Sequence, residues 1–186
     1  LDFNATTPMR PEVIEEMLPW LREGYGNPNS VYSFGQRARA AVERAREQVA
    51  ALLSAADASE IVFTSCGSES DVLAISGAAW QAHEESKGCR RKVVTSAIEH
   101  EAVRGLTGQL RRRGFEVVEA GCGPDGVSDV AQFASVIDAG AAVVSVMHSN
   151  NETGVLQPVT QIAAAARAAG ALVHTDAVQS LGKVPI

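Results

Sequence analysis

Cysteine is scarce in this chain. Cys66, Cys89 and Cys122 are odd in number and far apart, which excludes both a secreted disulfide framework and the paired C-x-x-C ligands of a zinc site. A reducing, cytoplasmic compartment is expected. Uninterrupted apolar runs of membrane-spanning length are absent, and no basic-then-apolar leader opens the sequence, so neither a membrane partner nor a secretory signal is expected. Positive charge is also short: 16 Lys and Arg stand against 22 Asp and Glu, a net charge of −6, which leaves no electrostatic footprint for nucleic acid or anionic lipid. What is present is 46% hydrophobic content over 186 residues, enough for one sizeable core. A small neutral or zwitterionic partner suits such a chain better than a polyanion. The sequence begins at Leu1 in what reads as an interior extended stretch and stops at Ile186 without a closing helix, so both ends are expected to be cuts in a longer chain.

Five short β-branched runs carry the mark of strands buried on both faces: residues 60–65 (EIVFTS), 92–96 (KVVTS), 116–120 (EVVEA), 142–148 (AVVSVMH) and 172–176 (LVHTD). Between them, residues 70–83, 102–113, 129–139 and 159–169 place apolar side chains at helical spacing, and Gly114, Gly140 and Gly170 stand where such helices would end. This alternation predicts an α/β architecture, a largely parallel sheet with helices on both faces. Ahead of it, residues 11–23 and 36–53 read as two helices joined by a turn-rich linker at 24–35 (GYGNPNSVYSFG). Residues 1–35 are therefore assigned to an N-terminal segment and linker, and 36–186 to the sheet domain. No internal repeat is present.

Ligands of open parallel sheets bind at the carboxyl ends of the strands, and unusual polar residues gather there. In SCGSESD (65–71), Gly67 allows close backbone approach, Ser68 can donate, and a helix N-terminus favours an anion, a cradle suited to phosphate. The same residues also fit an ordinary capping box, Ser68-x-x-Asp71, with Cys66 as a small buried filler. His100, between Glu99 and Glu101, sits where an imidazole can stack on a planar ligand or move a proton, or merely open a helix in solvent. Residues 149–154 (SNNETG) are tight-loop chemistry with two adjacent amides. Asp176 either caps the segment that follows it or presents a carboxylate to a ring nitrogen of a cofactor. The GCGPDG stretch at 121–126 matches a dinucleotide-binding pattern only in its glycines, since Pro124-Asp125-Gly126 is turn chemistry. His148, His174 and Asp176 would supply two histidines and a carboxylate to iron, but strand alternation equally packs His174 inward, and no metal is expected.

Taken in order, LDFNATTP, GNPNS…FG, FTSCGSESDVLAISG, SAIEHEAV, VSVMHSNNETG and VHTDAVQSLGKVPI resemble the cysteine desulfurase family, within the class V aminotransferase group of fold-type I pyridoxal phosphate enzymes. The likeness runs from Leu1 to Ile186. It implies a pyridoxal 5'-phosphate cofactor whose ring nitrogen pairs with Asp176 and whose phenolic oxygen meets Gln179. Gly67 and Ser68 would hold the phosphate. His100 would stack on the ring and act as the catalytic proton carrier, and Asn151 would lie beside the ring edge and the substrate carboxylate. The implied reaction takes sulfur from L-cysteine, leaves L-alanine, and puts the sulfur on an enzyme cysteine as a persulfide for iron–sulfur cluster assembly or thio-modification. A cytoplasmic homodimer with a sulfur-acceptor or scaffold protein as partner is implied too. The family's Schiff-base lysine and sulfur-accepting cysteine would lie beyond Ile186, and the chain is expected to end before the C-terminal domain. A selenocysteine lyase or another class V lyase is the alternative enzyme, and a noncatalytic binding fragment the alternative of another class.

Overall fold

The computed structural model describes residue 3 and residues 6–185. Two compact units are present, one spanning Thr6–Phe63 and the other running from Thr64 onward.

In the first unit, helix α1 (Pro11–Arg22) opens on a proline at its first position, where the missing N–H costs nothing. Helix α2 (Ser33–Leu53) ends on Ser54 in the left-handed region at φ 54°. It begins three residues earlier than the apolar pattern predicts, because the Tyr32 carbonyl already accepts the Gln36 N–H at 2.9 Å. The connection between α1 and α2 is tight: the Asn27 side chain accepts from Asn29 N–H at 2.9 Å, and a Cβ on Gly35 would collide with the Asn27 carbonyl.

The run at 60–65 is not a strand. Its first residue closes a 3₁₀ turn, Ala58–Glu60, and the backbone that follows is extended but joins no ladder among the described residues. Val62 and Phe63 remain 65% and 48% exposed. The Ile61 carbonyl instead accepts from the Arg46 guanidinium of α2, which also lies 5.0 Å from the Phe63 ring centroid. β-Branched composition expresses a fit to a pleated, half-buried surface, and without a neighbouring strand it dictates no ladder.

The second unit contains helix α3 (Gly67–Glu85), strand β1 (Lys92–Ser96), helix α4 (Glu101–Arg112), strand β2 (Glu116–Ala120), helix α5 (Val130–Val136), strand β3 (Ala141–Ser145), helix α6 (Val159–Ala168) and strand β4 (Leu172–His174). The four strands form a parallel sheet in the order β2-β1-β3-β4. Successive residues of each central strand serve opposite faces. Val93 and Val143 pack with Ile75 and Ala79 of α3 and Leu106 and Leu110 of α4. Val94 and Val144 pack with Phe133 of α5 and with Ile162 and Ala166 of α6. The expected α/β architecture with helices on both faces is therefore the observed one, and its two central strands are buried throughout their β-branched stretches.

Strand order decides where a ligand can enter. After β1 the chain moves to β2 on one side and returns to β3 on the other, so the connections leaving the carboxyl ends of β1 and β3 diverge and open a crevice. The formal strands end at Ser145 and His174, short of the predicted His148 and Asp176. Their hydrogen bonding nevertheless continues past those ends, with Val146 N–H donating to His174 O at 3.1 Å and His148 N–H donating to Asp176 O at 2.8 Å. This frayed extension fixes the backbone of Asp176 at the mouth of the sheet. Lys92 lies at the opposite end of β1, where it pairs with Asp138 and, at 3.8 Å, with Glu116.

Candidate active site

A cavity of about 290 Å³ sits at the carboxyl ends of the strands. The first turn of α3 contributes Gly67 and Ser68, and Asp71 follows one turn on. His100 enters from the start of α4, Met147, Ser149 and Asn151 from the chain after β3, and Asp176, Val178 and Gln179 from the chain after β4. All six residues singled out for cofactor contact in the sequence thus line one space. A larger groove of about 780 Å³ runs along α1 and α2, lined by Arg10, Glu12, Met17, Trp20 and Arg44 among others. Its charged groups are exposed, and Arg10 pairs with Glu12 at 3.4 Å.

The capping box expected at Ser68 and Asp71 does not form. Cys66 is the N-cap, and no side chain caps the helix. Cys66 is also exposed rather than a buried filler, because a residue ahead of the first turn lies outside the packed stripe. Glu69 reaches back to Ser65 instead, accepting from its N–H at 2.6 Å and its hydroxyl at 2.5 Å. The Ser65 hydroxyl, helped by that N–H, holds the Glu69 carboxyl below its ordinary range. With the first turn of a 19-residue helix left uncapped beside the Ser68 hydroxyl, unpaired N–H groups and the positive helix end face the cavity, the donor set an anion such as a phosphate requires. A Cβ on Gly67 would stand 3.0 Å from the Val178 side chain across the wall, so glycine keeps this corner open.

His100 occupies the N-cap of α4, where its Nδ1 accepts the Ala102 N–H at 3.2 Å. An accepting Nδ1 puts the proton of the neutral ring on Nε2. The two flanking glutamates differ completely: Glu101 is solvated, whereas Glu99 is buried with its Oε1 accepting the Met147 N–H at 2.8 Å. Nothing in the local sequence separates them, since only tertiary placement puts Glu99 beneath the cavity.

The two adjacent amides divide their work. Asn150 is buried and structural: its Oδ1 accepts Glu152 N–H at 3.0 Å and Thr153 N–H at 2.9 Å, while its Nδ2 donates to Ile98 O at 3.1 Å. That last bond ties the loop after β3 to the turn after β1. Asn151 is left in the cavity wall. Replacing Asn150 by alanine removes three part-buried hydrogen bonds from a buried residue and is expected to cost about 1–3 kcal/mol, read as a lower denaturation midpoint of the full-length protein. The loop would then no longer present Asn151 in one position.

Asp176 shapes a turn and also lines the cavity. Its Oδ1 accepts Val178 N–H at 2.9 Å, shaping the turn that brings Val178 and Gln179 to the wall, yet the residue still lines the cavity. Gln179 Oε1 accepts from Lys183 Nζ at 3.3 Å, which also donates to Phe3 O at 2.8 Å. His174 points elsewhere: its Nδ1 is 2.9 Å from Ser145 Oγ and its Nε2 3.5 Å from Asp71 Oδ1. Both ring nitrogens are engaged, and no cluster of three or more His, Cys, Asp or Glu able to hold a metal ion occurs among the described residues. Ser145 is fully buried, so the Ser145–His174–Asp71 chain presents no nucleophile. The GCGPDG stretch is a turn, with Gly126 at φ 78° and its N–H donating to Gly123 O at 3.0 Å, and α5 opens later, capped by Asp129.

Comparison with known proteins bears on this arrangement. The sequence model of the aminotransferase class-V family matches residues 1–186. The chain belongs to that family. Within it, the similarity is to cysteine desulfurases: the chain is 46% identical to the cysteine desulfurase of Enterobacter agglomerans and 45% identical to the cysteine desulfurase NifS of Azotobacter vinelandii, over 100% of its own length and 45% of each relative. Among solved structures, a NifS-like protein matches 100% of the chain at 38% identity with a TM-score of 0.90. A structure described as SspA in complex with cysteine matches 96% at 36% identity with a TM-score of 0.85. The chain covers 50% of each of those two, and so spans about half the length of the relatives it matches. The α/β unit is that of the fold-type I large domain common to these proteins.

Proposed function

We propose that this chain is the N-terminal part of a pyridoxal 5'-phosphate-dependent cysteine desulfurase, which converts L-cysteine to L-alanine and passes the sulfur to an enzyme cysteine as a persulfide. The observation that carries the reading is the convergence of an anion-binding helix start, an imidazole, an amide and a buried carboxylate on one cavity at a strand-order switch. One planar, anionic, nitrogen-containing ligand would use all of them.

Bound there, the cofactor supplies an electron sink for bond breaking at the substrate's α-carbon. The chain's own residues do the rest. The uncapped first turn of α3, with Gly67 and Ser68, holds the phosphate. The Asp176 carboxylate would pair with the ring nitrogen and favour its protonated form, and Gln179 would donate to the phenolic oxygen. His100 would lie against the ring and hold a proton at Nε2 for transfer within the cavity. Asn151 binds beside the substrate carboxylate. The lysine that anchors the cofactor and the cysteine that takes the sulfur belong to the remainder of the protein, which works as a homodimer in the cytoplasm and hands sulfur to an acceptor or scaffold protein.

The test is a direct assay on the full-length protein, comparing alanine release from L-cysteine and from selenocysteine. Turnover of L-cysteine with sulfide or persulfide formed in equal amount is the expected result. Activity on selenocysteine alone would move the assignment to a selenocysteine lyase, and a purified full-length protein without cofactor absorbance would leave the cavity to a binding role.

A further inference from the structure

Three carboxyl groups lie close together at the candidate site, two in its wall and Glu99 behind it. Asp71 of α3, Glu99 of the turn between β1 and α4, and Asp176 after β4 are 4%, 4% and 9% exposed. Asp71 has a neighbour able to carry positive charge, His174. Asp176 has the Val178 N–H and the open cavity. Glu99 has no paired cation and does not line that cavity: it takes part in none of the ion pairs among the described residues. Its Oε1 accepts one backbone N–H, and its Oε2 is buried without a hydrogen bond. An ionised carboxylate placed so, with two further carboxyls nearby, lacks the compensation that buried charge needs.

We propose that Glu99 is a neutral positioning acid: it keeps its proton at neutral pH, leaves Asp176 as the ionised carboxylate of the pair, and through Met147 ties the start of α4 to the end of β3. The last link places His100, the next residue, against the chain that carries Ser149 and Asn151. The charge assignment rests on the proposed role of Asp176, whereas the protonation of Glu99 does not.

Burial is the main cause that raises the Glu99 carboxyl to about 8, reinforced by the charges of Asp176 and Asp71 and only partly opposed by the N–H groups of Met147 and Ser96. The other groups around it are His174 on β4, His100, Glu101 and Arg104 at the start of α4, and Glu152 in the loop after β3. All but His174 border an outer cavity of about 360 Å³ that includes Glu99 in its wall. Between the ordinary glutamate value of 4.5 and about 8, the folded protein keeps a proton that the unfolded chain releases. Stability from this group is therefore fully present below pH 4.5 and is lost as pH rises through about 8.

The experiment compares the full-length wild type with Glu99→Gln and Glu99→Ala. Glutamine keeps an acceptor for the Met147 N–H and cannot ionise. Its Tm is expected to match the wild type near pH 4, to exceed it by a growing margin as pH rises toward 8, and to lack this part of the wild-type decline, while alanine stays less stable than glutamine throughout. An infrared band of a protonated carboxyl should be present in the wild type at pH 6.5 and missing from Glu99→Gln. In the cofactor-loaded enzyme, the visible band should titrate at higher pH in the wild type than in Glu99→Gln, because the charge gained at Glu99 opposes loss of a further proton nearby. A wild-type pH slope that persists in Glu99→Gln, or a glutamine variant as unstable as alanine at pH 6, overturns the inference. If the stability slope vanishes while the visible titration is unmoved, Glu99 is the neutral acid and the assignment of Asp176 to the ring nitrogen is what fails.

Discussion

Asp176→Asn in the full-length protein is expected to lower kcat/KM for alanine release from L-cysteine by about 10²–10³-fold, the scale on which a preorganised charge acts at a reacting centre, with little change in Tm. The structure separates the two effects. Asp176 shapes its turn through Oδ1, which accepts the Val178 N–H, and asparagine retains that acceptor. Its backbone carbonyl, which accepts the His148 N–H, is untouched by the substitution. What asparagine removes is the negative charge at the cavity, the feature proposed to keep the ring nitrogen protonated. Alanine would remove the turn hydrogen bond as well and would therefore lower both activity and stability. Purified enzyme should report the loss spectroscopically too, as weaker retention of the cofactor's visible absorbance on dialysis. Near-wild-type turnover in Asp176→Asn would mean that the carboxylate serves the turn alone.

The sheet was legible in the sequence because its central strands are buried on both faces, so Val93-Val94 and Val143-Val144 appear as unbroken β-branched pairs between helical periods. Legibility stopped where composition underdetermines the partner. Residues 60–65 also hold a run of apolar and β-branched side chains, yet Ile61 and Phe63 meet Arg46 and no ladder forms. The residues of the cavity wall could be anticipated at strand ends, where glycine, serine, histidine and aspartate break apolar runs. Their division of labour could not. Asn150 and Asn151 are chemically identical in sequence, and it is the loop bonds of Asn150 with its link to Ile98 O that make one structural. Glu99 and Glu101 are equally indistinct, since burial of the first depends on Met147, 48 positions away. The capping box at Ser68 and Asp71 failed because the helix starts at Gly67 with Cys66 as its N-cap, which puts Ser68 inside the first turn, while Asp71 lies against His174.

His100→Asn should separate capping from chemistry in the same way. The imidazole caps α4 by accepting the Ala102 N–H at Nδ1, and asparagine is among the best residues for that position. The variant is therefore expected to keep the Tm of the wild type, whereas His100→Ala should lose about 1 kcal/mol with the cap. Activity follows the ring instead. With Nδ1 committed to the helix, the proton on Nε2 is the one His100 can move, and asparagine cannot replace the ring as a proton carrier. Loss of a positioned proton carrier lowers kcat by about 10²–10⁴-fold. Equal activity losses in His100→Asn and His100→Ala, with only the alanine variant destabilised, would assign the catalytic effect to the ring and the stability effect to the cap. Full activity in His100→Asn would show that the residue serves only to start the helix, and proton transfer would then have to come from another group.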